Sequence, residues 1–188
     1  YYPPFVYTTG QLRGEAGKTY LLTVDTPDGK HAESVATIPE SAKIDSFRVE
    51  RVAGKDSLCQ LYAYSSAHKQ CKFFTRIEGE ETEPKSAYLG LYDSGMTGAD
   101  GKMSVSRGRS NLTTKDFTPY FHSGDRVEVK YCILTPEAYL FWREFEDMVT
   151  LSRNPLFPVT QNLSSNVKGA LGYWFGYGAY WSMVDVNP

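Results

Sequence analysis

Apolar and polar side chains alternate over several stretches of the chain, and the alternation is cleanest over 125–134. One face of this stretch carries Val127, Val129, Tyr131 and Ile133, and the other carries Arg126, Glu128 and Lys130. Period-two alternation of this quality predicts a strand of an antiparallel sheet with one buried face and one solvated face. We expect the buried face to lie beneath the amphipathic segment that follows.

Six further stretches have the composition of strands: 19–24, 31–38, 43–52, 57–65, 71–78 and 87–92. The first two are predicted to form a hairpin, because Pro27 and Gly29 between them favour a tight turn. The fourth and fifth are predicted to form a second, longer hairpin that bends at 67–69. The segment 93–111 is polar and glycine-rich, so it is predicted to be a mobile surface loop.

A helix is predicted over about 135–152, where the pattern changes to a helical period. Thr135 is a suitable N-cap and Pro136 suits the first helical position. The apolar stripe consists of Ala138, Phe141, Trp142, Phe145, Met148 and Val149, and such a stripe must pack on a sheet. The carboxylates of Glu144, Glu146 and Asp147 lie opposite, and we interpret them as a solvated face.

These elements predict a mainly β fold: an antiparallel β-sandwich with immunoglobulin- or fibronectin-like sheets and one amphipathic helix near the C-terminus. A domain boundary is expected near Ser41. The segment 1–40 offers only one hairpin, which is marginal alone, so it is assigned to the C-terminal part of an upstream β-sandwich domain. The segment 41–188 is then a β-rich domain that contains the helix.

Composition narrows the classes of partner. The net charge of −2 gives no basic field, so nucleic acid is not expected as a partner. No apolar run approaches the roughly 18 residues that span a bilayer.

The chain starts at Tyr1, which predicts a processed or truncated piece. The three cysteines, Cys59, Cys71 and Cys132, are interpreted as buried thiols, because Cys59 and Cys71 would be off register in the predicted hairpin.

No catalytic or metal site is predicted, and no cofactor is expected. His31, His68 and His122 are scattered, and no histidine or cysteine pair has the spacing of metal ligands. The segment 93–101 superficially resembles a calcium loop but lacks the required carboxylates, so we interpret it as a turn. No set of nucleophile and base is suggested by the spacing.

Aromatic residues offer the remaining candidate chemistry. The run 165–177 alternates glycine with large rings, which predicts a strand in which Gly172 and Gly176 admit a neighbouring backbone. Rings near segment ends or loops can stay exposed and bind sugars or peptides by stacking and apolar contact. The candidate ligand-binding residues are Tyr88, Tyr92, Tyr120, Trp174 and Trp181. Core packing is the favoured alternative for any single one of these rings.

Several segments in order resemble one family. They are Gly-Lys-Thr-Tyr-Leu-Leu-Thr-Val at 17–24, Thr-Ile-Pro at 37–39, Ile-Asp-Ser at 44–46, Phe-His-Ser-Gly-Asp-Arg-Val-Glu-Val at 121–129, Tyr-Leu-Phe at 139–141, Asn-Pro at 154–155 and Ser-Asn-Val-Lys-Gly-Ala-Leu-Gly-Tyr at 165–173. Together they resemble the Bacteroidetes envelope lipoproteins catalogued as domain-of-unknown-function family 4249.

The resemblance implies a lipidated cysteine and an N-terminal β-sandwich region upstream of this chain, so contact with the membrane would come only through that lipid anchor. It also implies a location in the cell envelope, on either side of the outer membrane, near TonB-dependent importers. The expected function is non-enzymatic: an outer-membrane lipoprotein that helps such an importer capture a nutrient glycan or peptide. The alternative is a structural or adhesive surface module that binds protein partners. The family supplies no catalytic residues to carry over.

Overall fold

The computed structural model describes residues 9–67, 69–109, 117–151 and 163–188. In this part of the chain the strands are β1 (Thr19–Asp25), β2 (His31–Thr37), β3 (Ser46–Val52), β4 (Lys55–Tyr64), β5 (Cys71–Ile77), β6 (Lys85–Tyr92), β7 (Lys102–Val105), β8 (Phe121–His122), β9 (Arg126–Ile133) and β10 (Gly178–Asp185), and the helix is α1 (Pro136–Leu151). The Asn-Pro pair at 154–155 and the bend residue His68 lie outside the described residues.

Two antiparallel sheets pack face to face around one core. One sheet has the order β10-β9-β5-β6, and the other has the order β3-β4-β7 with β8 also paired to β4. Side chains from both sheets share a buried cluster in which Leu61, Phe73 and Val129 are almost inaccessible to solvent. The predicted mainly β, sandwich-like fold with one helix near the C-terminus is therefore confirmed.

The predicted hairpin between 57–65 and 71–78 is wrong. β4 and β5 belong to different sheets, and the connection between them carries the chain across the sandwich. The inner faces of both strands are buried, as at Leu61 and Phe73, so the strands face each other across the core. β5 pairs with β9 on one side and β6 on the other, which leaves no edge for β4. All three cysteines are free and buried, as predicted.

The segment predicted as one long loop contains β7. Met103 and Val105 are buried in the core, and Lys102 and Ser104 alternate with them. The Tyr92 hydroxyl fixes this strand, because it donates to the Ser104 carbonyl at 2.8 Å and accepts from the Ser104 amide at 2.9 Å. Four residues of alternation inside a glycine-rich stretch were too few to indicate a strand from the sequence.

α1 begins where the sequence predicts, with the Thr135 hydroxyl accepting from the Ala138 amide at 3.3 Å. The prediction of which face of β9 the helix covers is wrong. The Val127 face of β9 is covered by the second sheet, and α1 packs on the opposite face, where the Trp142 and Phe74 ring centroids lie 5.8 Å apart. The inner face was not free to receive the helix, because the apolar side chains of β4 and β7 cover it.

The predicted strand over 165–177 is also wrong, since β10 begins only at Gly178. The preceding segment is held by side chains: Asn166 donates to the Trp174 carbonyl at 2.7 Å and accepts from its amide at 2.8 Å. A Cβ at Gly172 would meet only the Val167 side chain at 3.5 Å, and one at Gly176 would meet the Ile38 side chain rather than backbone. Gly172 is therefore not required by a close approach.

The β1–β2 hairpin rests on this C-terminal segment. Glu33 and Lys168 exchange two backbone hydrogen bonds of 3.0 and 2.8 Å, and the Ser34 hydroxyl donates to the Asn166 carbonyl at 2.9 Å. A Cβ at Gly178 would meet the Pro39 carbonyl oxygen at 2.5 Å, so the chain after the hairpin lies directly against the start of β10. The proposed boundary near Ser41 stays a prediction. None of the described helical residues forms a span long and apolar enough to cross a bilayer.

Candidate ligand-binding cavity

A partly open cavity of about 210 Å³ lies where the β1–β2 hairpin meets the segment that leads into β10. Its lining residues come from the chain before β1, from the hairpin and from 174–176: Thr9, Leu12, Gly14, Tyr20, Ala36, Ile38, Trp174, Phe175 and Gly176. Three separate stretches of sequence thus meet around one small space. We call this space the Trp174 cavity.

The hairpin and the C-terminal segment place the walls of the Trp174 cavity. Tyr20 of β1 and Ala36 of β2 are cross-strand partners, so both project from the same face of the hairpin. The Asn166 side chain holds the backbone of Trp174 from both sides. Gly176 lets the backbone pass close to Ile38, because a Cβ there would lie 2.5 Å from the Ile38 Cγ1 atom.

The walls of the Trp174 cavity are mostly apolar, and their polar atoms are few. The Tyr20 hydroxyl accepts from the Glu15 amide at 2.8 Å, and the Thr9 hydroxyl accepts from the Leu12 amide at 3.2 Å. The indole Nε1 of Trp174 is closed to solvent and has no hydrogen-bond partner among the described residues. A buried donor without an acceptor costs about 1–3 kcal/mol.

A second, more open cavity of about 460 Å³ lies beside α1. Its lining residues are Phe141, Met148, Leu163, Ser164, Ser165, Leu171, Gly172 and Tyr173. One wall is fixed by Glu144, whose carboxylate accepts from the Ser164 amide at 2.9 Å and from its hydroxyl at 2.8 Å. These bonds to Ser164 lower the pKa of Glu144. Glu144 thus ties the helix to the C-terminal segment instead of pointing freely into water.

Of the five candidate residues, Trp174 lines a described cavity, and the others lie elsewhere. The Tyr88 ring packs edge-on against Phe117, and the Lys55 ammonium lies 5.8 Å from the Tyr120 ring centroid. Tyr92 packs against the core, and Trp181 is about half exposed on β10. No described ring contact joins any two of the five, so they do not form one continuous aromatic platform.

The model of the family described as domain of unknown function DUF4249 matches residues 2–180. The chain belongs to this family. Neither a curated protein nor a solved structure matches it significantly. For this DUF4249 domain, the candidate site therefore rests on the geometry of its own residues.

Sequence reasoning missed most of the Trp174 cavity in this DUF4249 domain. Leu12, Tyr20 and Ile38 are separated from Trp174 by more than a hundred residues of chain, and nothing in their local pattern indicates a shared wall. One feature of the sequence does indicate part of the cavity, namely the ring-rich run beside small residues at 172–178. No described group of histidine, cysteine and carboxylate side chains is arranged to hold a metal ion.

Sequence reasoning also missed a buried charge in this DUF4249 domain. Lys72 is fully buried beneath α1, where its ammonium lies 2.5 Å from the Glu146 carboxylate and 4.6 Å from the Trp142 ring centroid. Burial lowers the pKa of Lys72, and the facing Glu146 carboxylate opposes that shift. Glu146 was interpreted as part of a solvated acidic face, and this ion pair corrects that interpretation. The signal in the sequence was a lysine on the same strand face as Phe74, in a strand rich in rings.

Proposed function

We propose that this protein is a non-enzymatic lipoprotein of the outer membrane that helps a TonB-dependent importer capture a nutrient glycan or peptide. In this proposal the described chain supplies the surface that binds the nutrient. An upstream lipid anchor supplies the attachment to the membrane.

The Trp174 cavity is the observation that carries the proposal. Binding sites for small ligands are concave and mostly apolar, and they have a few polar groups that fix orientation. The Trp174 cavity has this character, with Tyr20, Ile38 and Trp174 in its walls and Thr9 and Tyr20 as its hydroxyl-bearing residues. At about 210 Å³ it is smaller than a typical drug-sized site of about 300–1,000 Å³, which suits one side chain or one ring of a larger ligand.

The titratable groups with large shifts also favour binding over catalysis. Burial raises the pKa of both Cys71 and Cys132 to about 12, which keeps these thiols protonated and poorly nucleophilic. Lys72 has no exposed surface, so a substrate has no path to its ammonium. These shifts follow from core packing, whereas catalytic groups must face a cleft that a substrate can enter.

The proposal is tested by screening the protein against nutrient glycans and peptides with tryptophan fluorescence as the readout, alongside glycosidase, peptidase and esterase assays. We expect saturable binding of one ligand class and no turnover. Co-purification from detergent-solubilised envelope should recover a TonB-dependent importer. Turnover that survives repurification and disappears on mutation of one carboxylate or histidine would overturn the proposal.

The alternative function, a structural or adhesive module, has one observation in its favour. Leu21 and Val35 are cross-strand partners on the hairpin and are 64% and 60% exposed. An exposed apolar pair can dock a protein partner. A Leu21→Ser/Val35→Ser variant that loses importer or partner recovery but keeps ligand binding would show two separate surfaces. Loss of partner recovery in a protein that binds no glycan or peptide would favour the structural module.

A further inference from the structure

β10 is an edge strand of the sandwich, and its register with β9 shows which of its backbone groups face outward. It lies at the end of the sheet with the order β10-β9-β5-β6. The Val186 amide donates to the Asp125 carbonyl at 2.8 Å, and the same register pairs Val184 with Val127. Hydrogen-bonded positions alternate along an antiparallel ladder. The even-numbered residues of β10 therefore bond β9, and the odd-numbered residues point their N–H and C=O groups away from the sheet.

Three consecutive outward positions, Ala179, Trp181 and Met183, carry backbone groups that have no backbone partner in the described part of the chain. The side chains of Trp181 and Met183 are 48% and 40% exposed. The run 178–184 contains neither a charged residue nor a proline. A long, exposed and uncharged edge is a template for a further strand, and proteins protect such edges with charges, prolines or bulges.

The edge strands β3 and β6 have this protection, and β10 does not. β3 carries Arg48, Glu50 and Arg51 among its seven residues. The pairing of β6 with β5 is interrupted by a register shift, and Leu89 in β6 has a φ of 51°. The pairing of β10 with β9 is continuous over all eight residues. β10 is therefore the better site for the addition of a strand.

The outer face beside this edge carries complementary charges. The Lys130 ammonium lies 5.2 Å from the Tyr177 ring centroid and 5.0 Å from that of Trp181, and it forms no ion pair with a described residue. At the far end of β10, the Asp185 side chain is 73% exposed and lies 3.8 Å from Arg126. One copy of the edge thus offers an unpaired cation near its start and an exposed carboxylate at its end.

A second copy of β10 matches this edge when it runs antiparallel. Outward positions must then face outward positions, and the pairing of Trp181 with Met183 of the second copy meets this condition twice because of the two-fold symmetry. Each Trp181 ring then faces a thioether, which is a favourable contact. The same register places Asp185 of one copy opposite Ala179 of the other, on the face where Lys130 of that other copy needs a carboxylate.

We propose that this protein forms a two-fold dimer through antiparallel pairing of β10 with β10 of a second copy. Trp181 of each copy lies opposite Met183 of the other, and Asp185 of each copy approaches Lys130 of the other. The two four-stranded sheets become one continuous sheet. This dimer does not depend on the proposed binding function, and it gives the exposed Trp181 ring a role in association.

Sedimentation equilibrium of the full chain tests the dimer from micromolar to submillimolar concentrations, because small interfaces give weak complexes. Met183→Pro removes one outward N–H from each copy and no bond to β9. The dimer should weaken about tenfold or more, while the melting temperature falls little. Asp185→Asn should weaken the dimer roughly two- to tenfold, because it removes both charge pairs.

Thr23→Pro is the matched control for Met183→Pro. In the β1–β2 hairpin the Ile38 amide donates to the Lys18 carbonyl at 3.0 Å, so the odd-numbered residues of β1 face outward. Thr23→Pro thus removes an outward amide from a different exposed edge. It should leave the dimer unchanged.

A cross-link tests the register directly. Ser182 lies at the two-fold axis and faces its own counterpart in a non-hydrogen-bonded pair, whose Cα atoms are about 4.5 Å apart. This distance allows a disulfide. Under mild oxidation Ser182→Cys should give a reducible covalent dimer. Ala179→Cys should not, because its counterpart lies at the other end of the paired strand. The parent chain measures the background from the native cysteines, which are buried.

A parent chain that stays monomeric at every concentration would overturn the inference. If the amides of Trp181 and Met183 were protected from hydrogen exchange in that monomer, another strand would be the occupant. A dimer that Thr23→Pro dissociates and Met183→Pro does not would place the interface on the hairpin and would also overturn it. Equal cross-linking of Ser182→Cys and Ala179→Cys would contradict the pairing. The cross-link needs no proline, so it decides the question even where Met183→Pro lowers the melting temperature.

Discussion

At the scale of single residues, Lys72 shows how strand alternation can hide a buried charge. Its position on β5 is outward with respect to the sandwich core, because it alternates with the inward-facing Cys71 and Phe73. The sequence of β5 alone does not indicate that α1 covers this outer face. The charge is tolerated because Glu146 and the Trp142 ring lie within reach of the ammonium.

Glu146→Gln should destabilise the protein by about 3–5 kcal/mol, because it leaves the buried Lys72 ammonium without its counter-charge. Chemical denaturation at pH 7 measures the change. Asp147→Asn, an exposed site on the same helix, should change stability by no more than about 0.5 kcal/mol. Equal effects of the two substitutions would show that the ion pair contributes little.

A second prediction concerns pH and Cys71. Burial raises the pKa of this thiol from 9.0 to about 12, so between these values the folded protein retains a proton that the unfolded chain releases. Stability must then fall as pH rises above 9, by at most about 1.4 kcal/mol per pH unit from this group. Denaturation of Cys71→Ala between pH 9 and 10.5 should show a shallower decline than the parent protein.

Val129→Ala is the matched control for that experiment, since it removes core volume at a buried site without removing a titrating group. It should lower stability at every pH and keep the parent slope. A Cys71→Ala slope equal to that of the parent would contradict the assigned cause.

At the scale of secondary-structure elements, the strands with long alternation and the capped helix were predictable, and their partners were not. β9 and α1 lie where the sequence predicts them. β4 belongs to its sheet because it pairs with β3 on one side and with β7 on the other, and β3 and β7 are far from each other in the sequence. The run before β10 pairs with a strand only at the Glu33–Lys168 bridge in the described structure, and side chains of Ser165 and Asn166 bond its backbone elsewhere.

Gly178→Ala tests how the hairpin segment meets β10. The added Cβ would lie 2.5 Å from the Pro39 carbonyl oxygen and 2.7 Å from that of Glu40, so the contact must open. We expect a loss of about 1–3 kcal/mol, seen as a lower melting temperature. Gly172→Ala is the control and should be tolerated, because its Cβ would meet only Val167 at 3.5 Å. A Gly172→Ala protein that melts earlier than Gly178→Ala would contradict this packing.

At the scale of the whole molecule, the sandwich was predictable from composition and period, and the candidate site was predictable only in part. Trp174 was selected as a ring near a segment end, which is how ligand-binding rings are often placed. Its companions Leu12, Tyr20 and Ile38 come from the opposite end of the chain. A single sequence contains no signal for such a meeting, because the contacts depend on how the hairpin docks.

Hydrogen–deuterium exchange, with and without a tryptic digest of a nutrient protein, tests the central claim most directly because it reports on all the candidate surfaces at once. The account predicts slower exchange in peptides that cover 12–14, 36–38 and 174–176 when the digest is present, and unchanged exchange around Tyr120 and Trp181. Protection confined to the Trp181 strand, or no protection at the cavity segments in a protein that binds the digest, would contradict it.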